Sequence, residues 1–462
     1  MNTFTQKSLY AALAGLGAVG AAGTANAVHV NPDGLGQALI YPYFTVREQA
    51  AGAAYNSLLS VVNSTSSAKA VKVRFLEGRN SREILDFNLY LSRKDVWTAA
   101  IIPTSDGAGI ITADKSCTTP PVSTDAANPT RFVNFAYASD PAGGSLDRTR
   151  EGYIEIIEMG NVTGETAVDI THISGVPLDC ASINVPGAGD AQASRDTVLG
   201  NGGLFGGITL INVLLGEDFT ADATALDNFN TTGPIWFVPG SQFPDLTFST
   251  TQFEVFTGTT VIVGTAPRGI DAVSAALMHR NVYNEFVLDS VTKSGTDWVV
   301  TFPTKRFYFT GNTVTGLFQR NFTSTGSCDD VGLTVYDREE RTPTTPAGFS
   351  PPPPGAAPSA LCWEANVVTF NNSNVFASKN IANITTTFQN GWVDLDLVGP
   401  PPSAPVHATT HRLGTSAGTF QGLPVIGFAA QSFLNGTLTT GTGASLQSNY
   451  GGNFAHKYTP GL

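Results

Sequence analysis

Apolar and polar side chains alternate with a period of two through "VKVRF", residues 71–75, and again through "LDFNLYL", residues 85–91. Val71, Val73 and Phe75 interleave with Lys72 and Arg74, and Leu85, Phe87, Leu89 and Leu91 with Asp86, Asn88 and Tyr90. Successive strand side chains point to opposite faces, so the pattern specifies a sheet with one buried and one wet face. The polar "EGRNSR" between the two runs predicts a hairpin. Setting Glu77 opposite Glu83 places Phe75 against Leu85, Val73 against Phe87, and Arg74 against Asp86 on the solvent face. A slip of one residue would exchange the faces. "SLLSVVN" before this hairpin and "DVWTAAII" after it read as two more strands, giving a four-strand meander over residues 57–102. The basic cluster from Lys69 to Lys94 is then expected on a solvated sheet face.

Further strands are predicted in "GYIEIIEMG", "GGITLINVLLG", "PIWFV", "TTVIVGT", "NEFVLDS", "DWVVTFP", "KRFYFTG", "NVVTFNN", "GWVDLDLV" and "GLPVIGFAAQSFLNGTL". Helical spacing of Ile270, Val273, Ala276 and Leu277 predicts a helix within "IDAVSAALMHRN". The expected fold is mainly β, built of antiparallel β-sandwiches with an Ig-like N-terminal sheet and few short helices. Three regions are expected, 28–125, 126–325 and 326–462. The Pro-rich "PTTPAGFSPPPPGAAPS", 343–359, has too little apolar content to pack and should run as a surface excursion within the last region.

Residues 1–27 have the layout of a secretory signal: Lys7, then a small apolar run from Leu9 to Gly23, then Ala25-Asn26-Ala27. The mature chain should begin at Val28, outside the cytoplasm, in the periplasm or at the cell surface. Formal net charge is −12, and removing Lys7 with the signal makes it more negative. This excess of acid argues against nucleic acid and anionic membranes, which need clustered Lys and Arg. Charged residues make up only 13% of the chain, so the polar surface must come from Thr, Ser, Asn and Gly. Four cysteines in an exported chain predict disulfides, and the pairing of sequence neighbours is preferred, Cys117 with Cys180 and Cys328 with Cys362, each closing a loop within one region.

The N-terminal "NPDG" reads as a turn followed by a strand, "QALIYPYFTV", which Pro42 confines to an edge or a bulge. The expectation is an N-terminal edge strand tucked into its own sheet, with pairing to a neighbouring subunit as the alternative.

Motifs with catalytic overtones fail on their context. "GTSAG", 414–418, matches Gly-x-Ser-x-Gly, but no acid follows Ser416 and Gly422 with Pro424 disfavours the helix that the motif needs. "GNGGLFGG", 200–207, leads into a strand where phosphate binding would need a helix. His407 and His411 are four apart in a stretch unsuited to a helix. The candidate metal site is the acidic "GEDFTADATALDNF", where Glu217, Asp218, Asp222 and Asp227 could supply oxygen ligands to calcium. Asp329, Asp330 and Asp337 form a second acidic run. Trp97, Trp236, Trp298, Trp363 and Trp392 could form a sugar-stacking platform, but most should be core, since Trp97 and Trp298 each sit within an apolar run.

The stretches "VNPDGLGQALIYPYFTVR", "VRFLEGRNSREILDFNLYLS" and "TDWVVTFPTKRFYF" resemble segments in a group of uncharacterised exported proteins of Gram-negative bacteria, over most of the mature chain. The resemblance implies a cell-surface or periplasmic address and brings no activity or site. The functional expectation is an exported, non-catalytic structural or interaction protein at the cell surface, self-assembling through edge strands. Alternatives are a carbohydrate-binding protein, an outer-membrane β-barrel and a secreted hydrolase.

Overall fold

The computed structural model describes residues 26–462 except 51, 186, 343–358, 400–409 and 440, so the signal segment and most of the Pro-rich excursion lie outside the described residues. Strands dominate, in four large, almost wholly antiparallel sheets. The N-terminal half contributes β1 (Ala38–Thr45), β2 (Asn56–Asn63), β3 (Ala68–Glu77), β4 (Glu83–Leu91), β5 (Val96–Pro103), β6 (Ala108–Ile111), β7 (Glu151–Val162), β8 (Leu204–Asn212), β9 (Glu217–Asp222) and β10 (Thr224–Asp227). One sheet runs β10-β1-β7-β3-β4, and the other runs β9-β8-β2-β5-β6. They face each other across a core that includes Tyr41, Val73, Phe75, Phe87, Trp97 and Ile156.

The β3–β4 hairpin has the register that alternation demands: Val73 opposite Phe87, Arg74 opposite Asp86, Phe75 opposite Leu85. Near the turn a bulge sets Leu76 against Glu83, so Glu77 and Glu83 are not opposed. Glu77 instead turns inward to the buried Arg148, at 2.7 Å. The four strands from β2 to β5 do not form a meander. β2 pairs with β5 in one sheet and β3 with β4 in the other, so the chain changes sheet twice. Asn63 holds both crossings by donating to Ser67 O at 2.7 Å and Ser92 O at 2.8 Å. Alternation says which face of a strand is buried; it does not say which strand lies alongside.

β1 is also not an edge. It lies between β10 and β7, all eight residues are buried, and Pro42 falls at the shift in register between Tyr41 and Phe44, where a bulge dispenses with its missing N–H. Subunit pairing through this strand is therefore ruled out by its neighbours.

The C-terminal half contributes β11 (Met278–Val287), β12 (Ser294–Thr301), β13 (Gly332–Asp337), β14 (Ala365–Phe370), β15 (Ile381–Ile384), β16 (Asn390–Asp396), β17 (Ile426–Thr439), β18 (Ser445–Ala455) and β19 (Lys457–Pro460). The predicted helix forms over Gly269–Ala276 and gives way at once to β11. One sheet runs β13-β16-β11, with β19 also on β11; the other runs β15-β14-β12-β17-β18. The central strands of this second sheet, β12, β14 and the first half of β17, are buried on both faces. Trp298, Val300 and Val368 point into the C-terminal core. Val299, Val367 and Phe428 join the N-terminal core. Strands covered on both sides need continuous apolar runs, which explains "WVV" and "NVVTF".

The three expected regions do not correspond to structural units. β7, from residue 151, inserts between β1 and β3, which removes the boundary at 125, and β11 and β12 pair with strands beyond residue 326. Both preferred disulfides are present, Cys117–Cys180 and Cys328–Cys362. The second brackets the Pro-rich excursion.

Candidate functional site

Tyr336 on β13, Trp392 on β16 and Tyr283 on β11 form an aromatic row across three neighbouring strands on the outer face of the C-terminal sandwich. Val282, Val335, Val393 and Leu395 point into the core, so the residues between them point outward. Tyr336 and Trp392 are direct cross-strand partners whose rings stack with centroids 4.4 Å apart and planes 15° apart. Tyr283 approaches Trp392 at 6.2 Å, tilted by 56°. Polar groups frame the row: Asn281 Nδ2 donates to Asp394 Oδ1 at 2.7 Å, and the Tyr283 hydroxyl lies 3.0 Å from Thr459 Oγ1. Trp392 is 39% exposed. Rings beside hydrogen-bonding amides, carboxylates and hydroxyls suit partners that are themselves part apolar and part polar. β13 is also the edge strand of its sheet. The sequence signal was present in "LTVYD", "GWVDLD" and "NVYNEF", where the aromatic residue occupies the polar phase of the alternation.

A second open surface lies over β2, β5 and β8 on the N-terminal sandwich, a shallow groove of about 640 Å³ lined by Leu58, Ser60, Thr98, Ala100, Phe205 and Thr209. Its lining is small and nearly uncharged.

The acidic segment does not form a loop. It folds as β9 and β10, which belong to opposite sheets. Alternation sends Glu217 inward, where it is buried against the Ser432 hydroxyl, and leaves Asp218 and Asp222 exposed; Asp227 sits across from His29. Burial raises the Glu217 carboxyl above its ordinary value. The structure thus disperses the four carboxylates expected to bind calcium, and among the described residues no group of three or more His, Cys, Asp or Glu side chains converges. The second acidic run is distributed over ion pairs: Asp329 with Lys305, Asp330 with Arg320, Asp337 with Arg341.

The other motifs resolve structurally. "GTSAG" is the turn of the hairpin Arg412–Thr415 to Gly418–Gln421, with the Ser416 hydroxyl accepting from Thr265 N–H at 2.7 Å. Asn201 and Gly202 of the glycine-rich loop donate their backbone N–H groups to the Glu158 carboxylate, an anion the chain itself supplies. His407 lies outside the described residues; His411 is buried 3.3 Å from Asp329 Oδ1 rather than on the surface. Trp97 and Trp298 are fully buried core residues.

The basic cluster is the largest departure from expectation. Lys69, Lys72 and Arg74 are buried, not solvated, because the loop at Asn201, the segment around residues 237–240 and Arg306 lie over the polar face of the sheet. Lys69 pairs with Glu158 at 2.5 Å, Lys72 with Asp86 at 2.9 Å, and Arg74 with both Glu83 at 2.7 Å and Glu155 at 2.9 Å. Lys72 also donates to Val238 O of the covering segment. Burial raises the Glu155 and Glu158 carboxyls even against these cations. In sequence, a polar face covered by another segment looks the same as one facing water.

These features define a mainly β, disulfide-bonded protein of two interlocked sandwiches with an exposed aromatic row. Comparison of the chain with family models, with curated proteins and with solved structures finds no match.

Proposed function

We propose that the chain is exported and works without catalysis, as a contact protein at the cell surface, through the outer face and edge of the β13–β16–β11 sheet. The observation that carries this reading is the stacked Tyr336–Trp392 pair on an edge strand. Among the described residues no strand pairs the outer edge of β13, and that edge beside exposed rings offers both strand pairing and ring contact to a second polypeptide. The signal layout of residues 1–27 supports export, and two disulfides are compatible with an extracellular or periplasmic compartment. No helix among the described residues is long and apolar enough to cross a membrane. The edge proposed for contact is β13, not the buried β1.

Electron microscopy and sedimentation of the mature protein, beside fractionated cells, test this. Ordered assemblies that disappear in a Thr334→Lys/Tyr336→Lys double variant are the expected result. A monomeric wild type confined to the periplasm would count against it.

The same row favours carbohydrate as a second reading, because Asn281, Asp394 and Thr459 put sugar-type hydrogen-bonding groups next to Trp392. Glycan-array binding that Trp392→Ala abolishes, with assembly unaffected, would select it.

A further inference from the structure

Lys305 and Asp329 occupy a dry pocket where three chain segments meet. Nζ lies 2.7 Å from Asp329 Oδ2, with the two side chains 1% and 0% exposed. The Phe302 and Phe318 rings flank the amine, with centroids at 5.7 Å and 5.4 Å, and Nζ donates to Ser327 O at 2.5 Å. Asp329 is held in place by the Gln319 N–H, which donates to Oδ1 at 2.8 Å, and by His411 on the same oxygen. The pocket is braced beside the reacting pair: Asp329 pairs with Leu361 across a two-residue ladder, and the Cys328–Cys362 disulfide lies one residue from each.

Glu364 lies just beyond the end of that ladder, where its carboxyl feels the charge of Lys305, with its backbone carbonyl accepting from Phe302 N–H at 2.7 Å. Its carboxyl is fully buried and neither oxygen makes a hydrogen bond of normal geometry among the described residues; Lys305, Arg306 and Ser81 are its polar neighbours, and Glu77 adds a repelling charge. Burial raises its pKa to about 8, so it stays a neutral acid at neutral pH.

We propose that Lys305 and Asp329 become joined by an intramolecular isopeptide bond, formed without any external reagent. Fixed proximity and exclusion of water, the two factors that make such a condensation possible, are both present. Against the effect of burial, Lys305 and His411 hold the Asp329 carboxyl below its ordinary value, and the reaction begins when a proton passes from Nζ to that carboxylate. Nζ attacks Asp329 Cγ, the Nζ–Cγ bond forms, and one Cγ–Oδ bond breaks. Glu364 protonates the departing oxygen and is restored by the proton that Nζ sheds, so one water leaves and no net charge changes. Lys69 shows the contrast. Its Nζ meets three acceptors, Glu158, Asn161 and Asn201, the full complement of an ammonium.

Intact-mass spectrometry of the purified exported protein tests the proposal. The folded chain should be lighter than its sequence, with both disulfides counted, by one water, about 18 Da. Digestion should give a branched peptide joining Lys305 to Asp329. Asp329→Asn should reach the same final mass by losing ammonia. Glu364→Gln, which keeps shape and folding by circular dichroism, should leave most of the protein uncondensed. A wild type that is folded by that criterion yet has the full calculated mass, with trypsin cutting after Lys305, overturns the bond. Complete condensation in Glu364→Gln overturns the role given to Glu364.

Discussion

The Ser378 hydroxyl donates to Glu151 Oε2 at 2.6 Å, linking residues 227 positions apart. Glu151 begins β7 in the N-terminal sandwich, and Ser378 lies in the segment after β14 in the C-terminal one. Tyr43, Arg47 and the Lys379 N–H bond the same carboxylate. Glu151→Ala should therefore leave Arg47 buried without its main partner and cost about 3–5 kcal/mol. Denaturant unfolding followed by both fluorescence and circular dichroism should show one transition shifted to lower concentration, with the two probes coincident.

Phe376, two residues before Ser378, inserts among Tyr43, Tyr55, Phe219 and Phe428. Its backbone N–H donates to the buried Asp297. Phe376→Ala removes a large fully buried ring from between the two halves and should cost about 3–5 kcal/mol. Phe376→Leu should recover much of that, as read by thermal unfolding.

Asp297 gives the stability a pH dependence with a definite sign. Burial raises its pKa from 3.8 to about 7, against the opposing pull of the Phe376 N–H and Ser373 hydroxyl. In the unfolded chain the group loses its proton near its ordinary value, so between about pH 4 and pH 7 the folded state holds the extra proton. Stability is then fully present below pH 4 and falls as pH rises to 7, by about 1.4 kcal/mol per unit at most. Asp297→Asn should flatten that slope in urea titrations at several pH values and be more stable than wild type at pH 8.

Cys117–Cys180 ties the outer strand Cys117–Thr119, which pairs with β4, to the small helix Cys180–Ile183, with 63 residues of separation. Chain-entropy reasoning gives about 4 kcal/mol for a loop of this length. Cys117→Ser/Cys180→Ser should lower the melting temperature by the corresponding amount. Hydrogen exchange should speed up over residues 164–196, where the short helices lean on this bond.

The Tyr336–Trp392 stack should be worth about 0.5–1.5 kcal/mol in a double-mutant cycle, because cross-strand aromatic pairs add a little beyond area burial. Trp392→Ala alone should leave the fold intact. Loss of surface contact without loss of stability is the outcome that separates recognition from structural support.

Local pattern made much of the fold readable. The register of β3 on β4, the helix at Gly269–Ala276, the core placement of Trp97 and Trp298 and both disulfides follow from alternation, spacing and cysteine economy. Partner choice was not readable, because alternation is the same whether β2 lies beside β3 or beside β5. Nor was the covering of a polar face: Lys69, Lys72 and Arg74 carry no mark that Glu155, Glu158 and the segment around Val238 will lie over them. The aromatic row was half legible, since Trp392 sits in the outward phase of "GWVDLD" while its neighbours arrive from strands 56 and 109 residues away in the chain, at Tyr336 and Tyr283. Glu364 gave no signal, and Asp329 read only as part of an acidic run, because burial of a carboxylate is decided by remote segments.

A sheet coated with hydrocarbon on both sides has a consequence for biogenesis. As the polypeptide is made from its amino end, residues 38–45 emerge long before Val299, Val367 and Phe428 can cover them. The early portion must wait with a greasy flank bare until the last tenth of the chain has been added. Cutting the gene at the midpoint should therefore yield two sticky fragments and no autonomous half.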